Sequence, residues 1–176
     1  MDWKGCLLPL ALPLSVLLIG SWRLAVVERS PAPRPEISSS QQLPGPNYAQ
    51  APPGTYPTCQ DDPALADQLL AEGRRLGIPV KAGQPELPGK DATYRAEHGR
   101  LGSITLKPRP MSPLVRCMLI SHEFIHVLQH LEGDLRGVPP LGWTTDHADP
   151  IPQEAEAYGH QHRVGYVLSL LRATPR

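Results

Sequence analysis

The sequence predicts an α+β domain of modest size, and three observations carry that prediction. Leucines recur at helical spacing after "DDP" at Asp61 to Pro63. Residues 93–108, "TYRAEHGRLGSITLKP", alternate in polarity around the turn-like pair His98-Gly99. Ser112-Pro113 then opens a helical pattern that runs to Gly133. Helical and extended periodicities follow one another without the regular βαβ alternation of a parallel sheet, so helices and a short antiparallel hairpin are expected.

Taken in order, residues 1–29 read as a transmembrane anchor or signal peptide. Cys6 to Trp22 contains 17 residues without a charge, preceded by Lys4 and closed by Arg23. No small-x-small cleavage site follows, which favours an uncleaved anchor. Residues 30–58 are rich in Pro, Ser, Gln and Gly, and so poor in aliphatic side chains that they cannot offset their own ordering entropy; a disordered linker is expected. The folded domain is expected over 59–176. The charge of the whole chain is no guide to a polyanionic partner: 17 basic and 17 acidic residues cancel, no basic stripe exists, and nucleic acid is excluded as a partner.

The side of the membrane is read from two opposed signals. Arg23, Arg29 and Arg34 after the apolar run argue for a cytoplasmic domain. Cys59 and Cys117, either one disulfide or two buried thiols, argue for an oxidising compartment. The second signal is given more weight, so a membrane-anchored or secreted protein with its domain on the extracytoplasmic side is expected.

Within the domain, Asp61 or Asp62 caps a first helix with Pro63 in its first turn, Leu65, Leu69, Leu70 and Leu76 form its apolar stripe, and Gly77 ends it. A Gly- and Pro-rich loop leads to the hairpin, in which Arg100 to Lys107 is the stronger strand. Ser112 caps the next helix, Leu114, Met118, Ile125 and Leu128 line one side of it, and Gly133 marks its exit. A loop from Gly137 precedes one last helix, from about Pro150–Gln153 to Arg172, with Ala157, Gln161, Val164, Leu168 and Leu171 as its stripe.

Chemistry concentrates in "SHEFIHVLQH", Ser121 to His130. His122 and His126, four residues apart, present two imidazoles on one face about one turn apart, the spacing at which both can bind one zinc ion. Glu123 is rotated about 100° from His122, where it reaches a water at the metal as a general base but is badly placed as a ligand. His130 continues the four-residue spacing but lies about 12 Å along the axis from His122, too far to share an ion; it is expected as a polar, partly protonated residue at the helix end. Gln129 sits beside the ligand face, either as a partner to a ligand histidine or as an exposed side chain. The plain alternative for the whole stretch is an amphipathic helix with its polar residues in water.

"HEFIH" at His122 to His126 and "EAEAY" at Glu154 to Tyr158 resemble the zincin metallopeptidases, particularly the gluzincin branch, in which the third zinc ligand is a glutamate on a later helix. The resemblance implies a zincin-like fold, Zn2+ as cofactor, and His122, His126 and Glu154 as metal ligands, with small Ala157 letting the two helices approach. Glu156 is the alternative ligand; the two glutamates point about 200° apart and cannot both bind. Where several gluzincins have an aspartate orienting a ligand histidine this chain has Tyr158, so Asp146, Asp149 or a backbone carbonyl is expected in that role. Tyr158 and His147 are the favoured oxyanion donors over His160 and His162, and the strand Arg100 to Lys107 is expected to offer a free edge to an extended peptide.

The function implied is zinc-dependent hydrolysis of a peptide or protein substrate by a membrane-tethered metallopeptidase, with Glu123 as general base for a metal-activated water. The alternative is a metal-binding domain of the same fold that acts in protein interaction or assembly without catalysis. A third possibility makes the Pro-rich tether the functional part of a membrane adaptor.

Overall fold

The computed structural model of the chain describes residues 48–176. The expected membrane segment and residues 30–47 of the expected linker lie outside the described residues. Among the described residues no helix is long and apolar enough to cross a membrane. The architecture is α+β: helix α1 (Leu65–Arg75), strands β1 (Val80–Ala82), β2 (Ala92–Glu97) and β3 (Arg100–Leu106), then helices α2 (Pro113–Glu132), α3 (Pro152–His160) and α4 (Val164–Ala173).

The helices begin and end largely where local chemistry demands. The α1 C-terminus closes with Ile78 N–H on Gly73 O and Gly77 N–H on Arg74 O, the paired bonds that satisfy the last carbonyls of a helix, while Ile78 is buried under them. At its start, Asp61 and Asp62 form the turn before the helix instead of a helix cap: Asp61 Oδ2 accepts from Thr58 N–H and Oγ, and Asp62 Oδ1 from Ala64 N–H. Ser112 does cap α2, its Oγ accepting from Val115 N–H at 3.2 Å.

α2 is the axle of the domain, touching every other element except β1. Phe124, fully buried, meets α1 at Gly73, where an added Cβ would lie 2.6 Å from the ring; α1 can pack this closely only because residue 73 has no side chain. The expected apolar side of α2 divides. Ile125 and Leu128 are wholly buried, whereas Leu114, in the first turn, stays 37% exposed.

The hairpin forms as expected, β2 antiparallel to β3, but the sheet has a third strand. β1 pairs in parallel with β3, Val80 opposite Ile104. Three residues between Pro79 and Gly83 show no periodicity of their own, so only the partner strand makes them extended. The order β1-β3-β2 corrects the expected free edge at Arg100 to Lys107: β3 is the central strand, paired on both sides, and β2 is the edge next to α2.

Two further expectations change. The last helix is two, broken over 161–163, because residues 57–59 bond into the break: Cys59 N–H donates to His162 O at 2.8 Å and Gly165 N–H to Pro57 O at 3.0 Å. The predicted stripe nevertheless buries Ala157, Val164, Leu168 and Leu171 on both halves. The part of the expected linker that is described, 48–58, is anchored to the domain although most of its residues are exposed: Tyr48 is buried, its carbonyl accepts from Trp143 Nε1–H at 2.6 Å, and Gln50 Oε1 accepts from Thr144 N–H at 2.9 Å. The aromatic side chains Tyr48 and Tyr56, few in an otherwise polar segment, supply the apolar contact; the Tyr56 ring lies 5.2 Å from that of Tyr166.

Cys59 and Cys117 form a disulfide that ties this segment to α2, closing a loop of sequence separation 58. Chain-entropy reasoning assigns such a closure about 4 kcal/mol. Replacing both cysteines with serine should lower the unfolding free energy by that order in urea titration, and amide exchange should rise first at 57–59 and 161–165. Unchanged stability would show that the disulfide constrains nothing the packing does not already hold.

Candidate metal centre

From Ile120 to His130 every residue of α2 is buried, so the polar side chains of "SHEFIHVLQH" do not form a solvated helix face. His122 Nε2 and His126 Nε2 lie 3.1 Å apart. Glu154, in the first turn of α3, brings Oε2 to 3.5 Å from His122 Nε2 and Oε1 to 3.3 Å from His126 Nε2. Four ligands at the bond lengths usual for zinc stand about 3.3 Å from one another, so the three side chains already have the separations of a metal-ligand set. His122, His126 and Glu154 form a group that could hold a metal ion.

The surroundings decide which imidazole nitrogen is offered. Gln129 donates through Nε2 to Gln153 O at 3.0 Å and to Glu156 Oε2 at 2.7 Å, both acceptors, so its Oε1 is the atom facing His126 Nδ1 at 2.7 Å. His126 Nδ1 must then carry a proton, which leaves Nε2 as the nitrogen turned to Glu154 and the site. Gln129 is therefore a partner to the ligand histidine, the first of its two sequence readings. Glu156 is buried and also accepts from Leu141 N–H at 2.8 Å and Trp143 N–H at 2.7 Å. Of the two glutamates, Glu154 lies with the histidines, and Glu156 fastens the 141–143 loop to α2.

His122 lacks the equivalent support. Its Nδ1 is buried without a hydrogen-bond partner among the described residues. Asp146, Asp149 or a backbone carbonyl was the expected partner, and none of them bonds it; Asp149 Oδ1 instead accepts from Ile151 N–H at 2.8 Å. The His122 ring is held by packing against Tyr158, centroids 4.4 Å apart.

Charge in the site is set by burial and by these contacts. Burial raises the Glu123 carboxyl to about 7, against lowering by His126 and by the Tyr94 backbone N–H that it accepts. Hydrogen bonds from His122 and His126 hold Glu154 below the usual carboxylate range. Burial lowers His122. Burial also opposes charge on His126, but Glu154, Glu123 and Gln129 together outweigh it and raise that imidazole. His130 departs from its expected role as a charged, exposed helix end: it is 1% exposed, its Nδ1 meets Tyr94 Oη at 2.8 Å, and burial keeps it below its ordinary value.

A small open cleft over the three ligands is lined by Glu123, Tyr158, Lys90 and the start of β2 at Ala92 to Tyr94. Tyr158 is thus beside the ligands. His147 is exposed and reaches only the outer face of the Tyr158 ring, 5.0 Å between centroids. Among the other two oxyanion candidates, His160 bonds Thr144 O at 2.9 Å and His162 sits at the helix break; neither lines the cleft. Lys90 carries no signal in the sequence, and Glu156 has one only as the alternative ligand. A lysine in a Gly- and Pro-rich loop carries no pattern, and only the chain path before β2 brings it here. The bonds from Glu156 to Gln129 and to the 141–143 loop have no sequence signal, because no rule of spacing links residues of different elements.

Two imidazoles and a carboxylate, with an open approach from the cleft and a buried carboxyl alongside, suit a divalent cation that keeps a coordination position for another ligand. No protein-family model, curated protein or solved structure matches the chain.

Proposed function

We propose that the chain is a zinc-dependent peptidase of the zincin type. The observation that carries this reading is the convergence of His122, His126 and Glu154 at metal-ligand separations beneath a cleft that also holds the Glu123 carboxyl. Zinc bound there supplies Lewis acidity toward a carbonyl oxygen and acidifies a water. Glu123 accepts the proton of the attacking water and passes it to the leaving amine, a task open to a carboxyl that borders the cleft beside the ligands. An extended peptide would add to β2, the edge strand whose Ala92 to Tyr94 segment borders the cleft. The Cys59–Cys117 disulfide supports placement of the domain in an oxidising, extracytoplasmic compartment, tethered or secreted through residues 1–29.

The rival reading, a metal-holding domain that cleaves nothing, has no use for a buried carboxyl beside three ligands and an open cleft. The deciding experiment is metal analysis of the purified full chain together with hydrolysis of casein. One zinc per chain and zinc-dependent cleavage are expected, and Glu154→Ala should bind zinc at least 100-fold more weakly, beyond the ~10–100-fold that changes to supporting residues cost. A chain that neither carries nor takes up zinc refutes the proposal; a zinc-loaded chain without hydrolytic activity favours the rival.

A further inference from the structure

We propose that Lys90 is a positioning residue for hydrolysis, holding the Tyr158 hydroxyl so that its proton is free for the oxyanion formed in the cleft. The inference rests on the peptidase reading above and adds to it a residue that the ligand motif does not contain.

The hydrogen bond between Lys90 Nζ and Tyr158 Oη measures 2.8 Å. An ammonium only donates, so the phenol oxygen is the acceptor and its own O–H must point elsewhere. Contact with a cation also makes the phenol a stronger donor in the direction that remains. The ring packs against His122, centroids 4.4 Å apart, and also meets His147 at 5.0 Å, which places the phenol beside a ligand side chain. Both Lys90 and Tyr158 line the cleft over the three metal ligands.

Lys90 is not simply the counter-ion of Glu154. Its Nζ is 3.7 Å from Glu154 Oε2, beyond hydrogen-bond distance, and the phenol is the partner it bonds. The loop is built to hold it there. Gly89 takes φ of +78°, a conformation costly for other residues, immediately before Lys90. Directly after it, Asp91 is gripped twice: its carboxylate by the Arg109 guanidinium, with Nε donating to Oδ1 at 2.8 Å, and its carbonyl by Lys107 N–H at 2.8 Å. The lysine is thereby tied to the end of β3 and aimed over the ligands, although its side chain is 39% exposed.

The test uses the zinc-loaded full chain with Tyr158→Phe, Lys90→Met, Lys90→Arg and the double variant Tyr158→Phe/Lys90→Met. Casein hydrolysis is read beside calorimetric binding of an N-phosphoryl dipeptide, whose tetrahedral anion imitates the oxyanion. Loss of one preorganised oxyanion donor costs about 10²–10³-fold in kcat. Tyr158→Phe should show that loss with KM little changed, Lys90→Met should show a tenfold or greater part of it, and Lys90→Arg should recover most of that part. The double variant should be no worse than Tyr158→Phe alone, because Lys90 acts through the hydroxyl that is already gone. Phosphoryl-dipeptide affinity should follow the same order. Zinc should be retained in Lys90→Met, and held as tightly or more tightly, since a cation beside a dication has been removed.

Losses that multiply in the double variant would overturn the inference by showing that Lys90 acts independently of Tyr158. A Lys90→Met loss that tracks lost zinc would overturn it by making Lys90 a support for Glu154. Both results leave the peptidase reading standing. A wild-type chain that binds zinc but neither hydrolyses casein nor binds the phosphoryl dipeptide overturns the peptidase reading and this inference together.

Discussion

Glu123→Gln should keep its zinc and lose hydrolysis by roughly 10²–10⁴-fold, the range that a positioned general base contributes. The amide fills the same space and still accepts the Tyr94 N–H through its oxygen, but it cannot take a proton. Zinc content by metal analysis and casein cleavage by product assay separate the two effects. A variant that keeps appreciable activity would remove Glu123 from the reaction.

The same substitution has a second consequence in the metal-free protein. The folded-state pKa of Glu123 is raised to about 7, chiefly by burial, from an ordinary value of 4.5. The folded state therefore favours the protonated carboxyl. Stability from that preference is complete below the unfolded value and is lost as pH rises through about 7. A glutamine does not titrate, so metal-free Glu123→Gln should gain on metal-free wild type as pH rises from 5 to 8. The gain should be on the order of 2–3 kcal/mol at pH 8, each pKa unit being worth about 1.4 kcal/mol. Urea titrations of both proteins in chelator at the two pH values measure it; equal pH profiles would show that the carboxyl is not desolvated as its burial indicates.

Glu156→Leu should be the most damaging single change to the fold. It leaves buried Gln129 Nε2 and Trp143 N–H, and half-buried Leu141 N–H, without this acceptor. At about 1–3 kcal/mol for each stranded donor the loss is a large part of the 5–15 kcal/mol that holds a domain together. Gln129 would also be released from one of the two bonds that orient it toward His126, so zinc affinity should fall about 10–100-fold in whatever fraction remains folded. Denaturant titration and zinc competition read the two losses. A stable variant with unchanged zinc affinity would show that Gln153 O alone keeps Gln129 in place.

How legible each part was follows from the range over which it is specified. The α2 helix was readable because its start at Ser112-Pro113 and its exit at Gly133 are local chemistry, and His122, Glu123 and His126 lie on it at spacings that helix geometry converts into positions. The hairpin was readable from alternation and the His98-Gly99 turn. β1 was not, since three residues acquire extended structure only from β3. The break between α3 and α4 was hidden for a similar reason: the 164–171 stripe continues the 157–161 one in phase, and the interruption comes from residues 57–59, far away in sequence. His130 was misjudged because its position near a helix end suggested water, whereas Tyr94 and the 134–135 turn enclose it.

The amino-acid sequence alone determined that two imidazoles, His122 and His126, and the Glu123 carboxyl stand close together on one helix, because that follows from residue type and from 3.6 residues per turn. Tertiary structure decided everything that depends on a second segment. It placed Glu154 and not Glu156 with the histidines, put a proton on His126 Nδ1 through Gln129, made β2 and not β3 the edge beside the site, and set Lys90 against Tyr158. Spacing along a chain has a geometric meaning only inside one regular element. Between elements, distance is set by how buried surfaces pack and where buried donors find acceptors, and neither is written at a fixed separation in the sequence.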